Sequence, residues 1–286
     1  MNQSDISKLK TIARNIRIRS LLAIYYAESG HPGGSLSCAD LLAYLFFHDM
    51  NIALSKENYM LKDRFILSKG HAVPALYAVG VELGLLTEDE LKGLRQINNQ
   101  LQGHPHRGST PWVEASTGSL GQGFSFGIGE AMGFRHQGIN NRIFVMIGDG
   151  ELQEGEIWEG AMCAGHHKLD NLFVIIDYNK MQSDDLNENI MGVEPLADKW
   201  KAFNWKVIET DGHQFEHIHE AFQQAHQSSG KPVCIIAHTL KGKDVSYMEG
   251  SPLWHGSAKL SDEDISQALS DLHLDDKIIN SYIHER

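Results

Sequence analysis

The sequence is short of positive charge, of cysteine and of long apolar runs, and each shortage excludes something. Its 25 Lys and Arg are outnumbered by 37 Asp and Glu, which leaves a net charge of −12. Non-specific nucleic-acid binding needs a basic footprint, so that class is set aside. A local cationic pocket can still sit inside an acidic protein. The three cysteines, Cys38, Cys163 and Cys234, are far apart and form no CxxC pair. Neither a disulfide framework nor a structural zinc site is supported, and they read as buried thiols of a reducing compartment. No HExxH motif occurs. No apolar run reaches the roughly 18 residues of a membrane span. The opening MNQSDISKLKTIARNIRIRS has no apolar signal core. Repeats and low-complexity stretches are missing too. A cytoplasmic protein without membrane contact is expected.

What is present is ordinary globular material: 286 residues, 42% hydrophobic and 22% charged. A chain of this length can bury a substantial core without disulfides. A first helix is expected from Ser4–Ser7 onward, with Leu9, Ile12 and Ile16 on one face, ending at Ser29-Gly30. His31-Pro32-Gly33-Gly34 reads as a tight loop, and 37–50 as a second helix. Apolar runs at 65–67, 142–147, 172–176 and 233–237 read as strands. Between them lie helical patterns around Leu76, Val79 and Leu83, and around Trp158, Met162 and His166. Residues 98–118 read as a long polar loop, a length that is often functional. Strands alternating with helices predict an α/β fold of three layers, with a mainly parallel central sheet flanked by helices. No linker is evident, so residues 1–286 are read as one domain with a helical tail from about 260.

Open parallel sheets bind ligands at the carboxyl ends of their strands. Gly148-Asp149-Gly150 ends one expected strand and Asp177-Tyr178-Asn179 ends the next. The glycines allow close backbone approach to a ligand. Asp149 and Asn179 carry hard oxygen donors of the kind Mg²⁺ prefers, and Mg²⁺ takes part of its shell from substrate phosphates. The helix after Gly150 could aim its N-terminal end at a diphosphate. A GDG alone is more often a simple turn, with Asn179 a strand-end residue.

The combination is more specific. GDG, 28 residues, then Asn, with a strand before each, resembles the thiamine diphosphate motif. Around it stand SGHPGGS at 29–35, DRFILSKGHA at 63–72, GHPH at 103–106, STGSLGQG at 116–123, GDGELQEGEIWE at 148–159 and WHGSA at 254–258. Together these resemble the N-terminal part of transketolases, and the short form resembles the N-terminal subunits of split transketolases. The resemblance implies transfer of a two-carbon ketol unit from a ketose phosphate to an aldose phosphate, with thiamine diphosphate as electron sink. It implies Mg²⁺ held by Asp149, Asn179 and the Met181 carbonyl. Cofactor contacts would come from His71, Gly118, Ser119, Leu120, Gly150, Asn179 and His255. His31 and His104 would meet the sugar, His255 both diphosphate and substrate, and Glu154 a subunit junction. The family often has Pro where this chain has Ser119. The family's activating glutamate sits in a pyrimidine-binding domain, for which this sequence shows no pattern. A partner carrying that domain and a C-terminal domain is therefore expected, in a heterotetramer.

The same residues admit other readings. Gly121, Gly123 and Gly127 do not follow a strand, so a dinucleotide fingerprint is disfavoured. Gly123, Gly127 and Ala131 share one helical face instead, which suits close packing, with a subunit interface as one place for it. Glu151, Glu156 and Glu159 are explained by the helix dipole. His106, His136, His166, His167, His213, His217 and His219 read as surface or core residues. Deoxyxylulose phosphate synthase-like and 2-oxoacid decarboxylase-like enzymes, or a non-catalytic regulatory subunit, remain as alternatives. The SGHPGG and GHPH loops favour transketolase over the first two, and the intact Asp149, Asn179 and histidines argue against the third.

Overall fold

Residues 1–52, 63–256 and 258–285 are described by a computed structural model; Ser257 of the WHGSA motif lies outside them. Five strands form one sheet: β1 (Arg64–Leu67), β2 (Ile143–Gly148), β3 (Leu172–Tyr178), β4 (Lys206–Asp211) and β5 (Val233–His238). Their order is β1-β2-β3-β5-β4 and every pair is parallel. The helices are α1 (Gln3–Ala27), α2 (Pro32–Ser37), α3 (Ala39–Tyr44), α4 (Val73–Glu82), α5 (Glu88–Leu91), α6 (Gln122–His136), α7 (Gly155–His166), α8 (Asn187–Met191), α9 (Leu196–Ala202), α10 (Phe215–His226), α11 (Asp262–Asp271) and α12 (Asp276–His284).

The strands are apolar on both faces, as a sheet covered on both sides requires. Phe144, Met146, Phe173, Ile175, Val233 and Ile235 join a core with α1, α3, α4 and α10. The alternate residues Ile143, Val145, Ile147, Val174, Ile176 and Ile236 join a second core with α6, α7 and α9. A third apolar cluster ties Leu21, Ile24 and Tyr25 of α1 to Ile265 and Leu269 of α11. The three-layer α/β expectation is met.

Three local readings need correction. His31-Pro32-Gly33-Gly34 is not a loop, because Pro32 opens α2, all of whose residues are buried. Proline suits the first helical turn, where its missing N–H and fixed φ cost nothing. The expected helix at 37–50 is α3 followed by a π-helical turn, Leu45–Asp49. Strand β4 went unread because it lies at the sheet edge, where Ile208 and Thr210 are buried while Glu209 and Asp211 face solvent. Among the cysteines, Cys38 and Cys234 are buried, but Cys163 is partly exposed.

The small-residue face of α6 is occupied by this chain's own sheet. A Cβ on Gly123 would lie 2.7 Å from the Ser68 Cα, and one on Gly127 would lie 2.5 Å from the Val145 Cγ2. That face packs inward and is not free for a subunit junction. On the opposite side, a Cβ on Gly129 would meet nothing within 4 Å. Gly123→Ala is therefore expected to destabilise the chain by about 1–3 kcal/mol. Gly129→Ala is expected to stabilise it by up to about 1 kcal/mol, through helix propensity. Thermal unfolding of both variants checks the pair, and equal shifts would contradict this packing.

Candidate active site

The carboxyl ends of β2, β3 and β5 converge on one cleft with a cavity volume of about 100 Å³. Its lining includes Gly34, Lys69, His71, Asp149, Lys241 and His255. Asp149 follows β2 and is 2% exposed. Its carboxylate accepts the Gly150 N–H at 2.9 Å and also the Lys180 N–H. Asn179 follows β3, and its Oδ1 accepts the Met181 N–H at 3.1 Å. Lys241, beyond β5, places its Nζ 3.4 Å from the Met181 carbonyl, 3.3 Å from the Gln182 carbonyl and 2.6 Å from His255 Nδ1. Burial and then the charge of Asp177 push the Asp149 carboxyl up to about 7. Burial above all pushes Lys241 down to about 8.

Behind the cleft lies a buried ion pair. Lys69 is 1% exposed and Asp177, on β3, is fully buried, and the two are hydrogen-bonded. Lys69 Nζ also donates to the Gly34 carbonyl at 2.8 Å. Asp177 accepts further bonds from Ser37 Oγ at 2.6 Å and from Thr239 Oγ1. Burial alone would lower the Lys69 ammonium, but Asp177 outweighs it and holds it above its ordinary value. Burial alone would raise Asp177, but Lys69 outweighs it and keeps it ionised. Glu151 ties the next layer: it is 2% exposed and accepts from Ser68 Oγ at 2.5 Å, the Gly121 N–H at 2.8 Å and the Gly148 N–H at 3.0 Å.

Four histidines from separate segments meet here. The His31 ring lies 5.3 Å from that of His71, 6.2 Å from His104 and 5.9 Å from His255, and His71 and His255 are 5.2 Å apart. Burial is the first cause lowering all four, followed for His31 by Arg95 and for His255 by Lys241. His31 falls to about 4 and His255 to about 3, so both imidazoles are neutral at physiological pH. Arg95 donates to Ser29 Oγ at 2.7 Å and faces His31 Nδ1 at 3.3 Å. With Nδ1 accepting, the His31 proton sits on Nε2.

The loop residues are placed less uniformly. Gly118 has φ +149°, which side chains rarely adopt, and a Cβ there would lie 3.0 Å from the His104 ring. Leu120 and Gly150 line the cleft, whereas Ser119 is exposed. His104 is exposed and reaches the cluster through His31. Glu154 is exposed at the start of α7 and is not among the cleft-lining residues.

Residues 8–281 match the family described as transketolase, thiamine diphosphate-binding domain. The chain belongs to the transketolase family. It is 42% identical over 272 residues to the 6-deoxy-6-sulfo-D-fructose transketolase subunit of a Clostridium species, covering 95% of this chain and 98% of that one. It is 39% identical over 251 residues to an apulose-4-phosphate transketolase subunit of Phocaeicola vulgatus, covering 88% and 89%. The solved transketolase of Campylobacter jejuni superposes with a TM-score of 0.86 at 31% identity, over 99% of this chain and 46% of its own. The chain thus spans under half the length of that full transketolase. The resemblance read from the motifs, and the ketol-transfer function it implied, agree with this membership.

Motif reading missed Lys69, Asp177, Glu151 and Lys241. Asp177 had a signal, since a carboxylate at the end of the buried run FVIID needs a partner. Glu151 is not explained by the helix dipole alone, because it is a buried acceptor for two backbone N–H groups and a hydroxyl. Lys69→Met is expected to destabilise the chain by about 3–5 kcal/mol, because Asp177 would be left buried and uncompensated. Chemical denaturation measures it, and a loss under about 1 kcal/mol would contradict the dependence of Asp177 on Lys69.

Proposed function

We propose that this chain is the N-terminal, cofactor-holding subunit of a two-chain transketolase, moving a two-carbon ketol unit between sugars. The observation that carries the reading is the cleft at the ends of β2 and β3, which Asp149, Asn179 and Met181 line together with His71 and His255. The relatives aligned over nearly their whole length are named as transketolase subunits, which supports a separate partner chain. That partner would supply the pyrimidine-binding and C-terminal domains, and symmetry favours two copies of each chain. The reading takes 1–286 as one diphosphate-binding unit working in the cytoplasm. Both subunit relatives are named for sugars carrying an anionic group, a phosphate or a sulfonate. A ketose of that class is the proposed substrate.

The donor set fits a hard cation, which would neutralise a diphosphate held beside it. The Asp149 carboxylate, the Asn179 oxygen and a backbone carbonyl are Mg²⁺-type ligands. A carboxyl pushed up to about 7 inside a buried site is one that a cation would relieve. Bound thiamine diphosphate supplies the carbanion and the electron sink that carbon–carbon transfer needs. His71, His255, Gly150 and the Gly118-Ser119-Leu120 loop would hold it. Lys241 contributes a buried cation on the same side. His31 presents Nε2–H to a sugar oxygen, and His104 sits beside it for the sugar hydroxyls or the reacting oxygen. Neutral imidazoles suit donation and proton transfer near neutral pH. Glu154 faces outward, where a partner carboxylate contact can form.

Two outcomes follow. Because the Asp149 pKa is raised, its free carboxyl holds a proton between its ordinary 3.8 and about 7. The free fold loses stability as pH rises through that window, and cation binding recovers it by displacing the proton. Mg²⁺ affinity is therefore expected to fall by up to about tenfold per unit below about pH 7 and to level off above it. Asp149→Ala should remove Mg²⁺-dependent binding of thiamine diphosphate. Calorimetry across pH reads both, and a pH-independent affinity or an unaffected variant would refute this metal assignment.

The second outcome concerns the partner. The purified chain, given thiamine diphosphate and Mg²⁺, should show no ketol transfer, and adding its partner chain should restore it. Robust turnover by the isolated chain would refute the two-chain reading. No gain on mixing would favour a non-catalytic role.

A further inference from the structure

His213 reads from sequence as a surface or core residue, and it takes no part in the site described above. It lines a different cleft, with Arg17, Asp40 and Asp244, from the one that contains His255. Both of its ring nitrogens are nonetheless committed. Nδ1 lies 2.8 Å from Asp40 Oδ2, and Nε2 lies 2.8 Å from the backbone nitrogen of Leu240. A backbone N–H only donates, so Nε2 accepts and the ring proton sits on Nδ1, donating to Asp40. Asp40 is itself gripped by buried Arg17, whose Nη2 approaches Oδ2 at 2.5 Å. Burial alone would raise the Asp40 carboxyl, but Arg17 and then His213 hold it at about 2. Asp40 is therefore a fixed anion, and it fixes the tautomer of His213.

The residue that His213 holds precedes Lys241. The whole segment beyond β5 is clamped one residue at a time. Thr239 N–H donates to the Tyr178 carbonyl at 3.1 Å, and its hydroxyl donates to Asp177. Leu240 N–H donates to His213. Lys241 Nζ reaches His255 and the carbonyls of Met181 and Gln182. Gly242 N–H donates to the Gly33 carbonyl at 3.1 Å. The ties at Thr239 and Lys241 run into the ion pair and the cleft, and that at Gly242 reaches α2. The tie at Leu240 leaves the cleft and ends on α3 and α1, through Asp40 and Arg17.

We infer that His213 is a positioning residue which, braced by Asp40 and Arg17, holds the backbone of Leu240 so that Lys241 stays against His255 and the Met181–Gln182 carbonyls. The inference rests on the proposed cofactor site and adds to it an anchor outside the cleft, on α3 and α1. Its action passes through one backbone N–H, which makes it separable from simple folding. Asn carries its amide near the Nδ1 position of histidine, so it can serve Asp40 but not Leu240. Gln carries its amide near the Nε2 position, so its oxygen can serve Leu240 while losing Asp40.

The test uses the assembled two-chain enzyme and the dissociation constant of thiamine diphosphate at fixed Mg²⁺, with sugar kcat/KM as a second readout. His213→Asn is expected to weaken cofactor binding about tenfold, the size of one lost buried hydrogen bond. His213→Gln should stay within about twofold of the unaltered enzyme, even if its melting temperature falls further. In a Lys241→Met background, His213→Asn should add less than about twofold, because the contact it protects is already gone. The inference is overturned if His213→Asn costs the same factor with and without Lys241, if it costs nothing, or if Gln is as poor as Asn. If the unaltered enzyme binds no thiamine diphosphate at all, the failure is that of the cofactor site and is recognised as such before any variant is compared.

Discussion

The buried pair of Lys69 and Asp177 is the constraint around which the site is built. Four segments far apart in sequence meet at it: Lys69 after β1, Asp177 on β3, Gly34 and Ser37 from α2, and Thr239 beyond β5. An ion pair so deep gains little net stability over an apolar replacement, yet neither partner can be removed alone. It therefore acts as a specification of geometry. Any arrangement that separates α2 from the end of β3 leaves a charge buried without its partner. The His31 segment and the metal-ligand candidates next to Asp177 are held in register by the same condition.

The electrostatics of the cleft follow from that choice. Lys69 and Lys241 are both about 1% exposed, and the carboxylates Asp149, Glu151 and Asp177 are buried with them. Lys69 contributes to lowering both His71 and His255, and Lys241 to lowering His31, His71 and His255. Burial and these cations act in the same direction, so the histidine cluster stays uncharged. A cluster of imidazolium ions with rings 5.2–5.3 Å apart would repel itself and any bound cation. Neutral rings leave N–H donors and lone pairs available instead. Asp149 shows the opposite imbalance, a carboxyl raised by burial and by Asp177, and this asymmetry marks where positive charge is wanted.

How much of this was legible in the sequence depended on the kind of signal. Strands β1, β2, β3 and β5 were legible because each is a continuous apolar run, and GDG and Asn179 were legible because they sit directly at two of those ends. Edge strand β4 was not, since the apolar run breaks at Glu209 and Asp211, which face solvent. Helix α2 was hidden by Pro32-Gly33-Gly34, where composition says loop but the backbone needs small residues. A Cβ on Gly33 would lie 2.9 Å from the Trp254 carbonyl oxygen, and one on Gly34 would lie 3.3 Å from His71. The glycines there record close approach of other segments, not freedom to turn. The same holds for Gly123 and Gly127, whose inward face passes for a possible junction because spacing alone cannot say what fills it. Lys69, Glu151 and Lys241 were invisible for a related reason: a lysine or glutamate in sequence looks exposed, and only the meeting of distant segments buries it.

The charged residues missed at the site share one origin, and it bears on where substrate preference can reside in this fold. Lys69, Asp177, Glu151 and Lys241 each belong to a contact between segments remote in sequence, at the cleft or directly behind it. There, positions 239–242 are tied at each successive residue, and Glu151 alone accepts from three different segments. Changing one of them disturbs several others. On the other side, His104 and Ser119 are exposed, and Arg95 leans on His31 from a loop without a buried carboxylate among its hydrogen-bond partners. Those positions can change without unbuilding the ion pair. A protein that keeps one cofactor grip while relatives bear names for a phosphorylated and a sulfonated sugar needs that division of labour. Under the proposed reading, the tied half would hold the cofactor, and the exposed His104 and Ser119 are the positions at which sugar preference would be set with least disturbance of the ion pair.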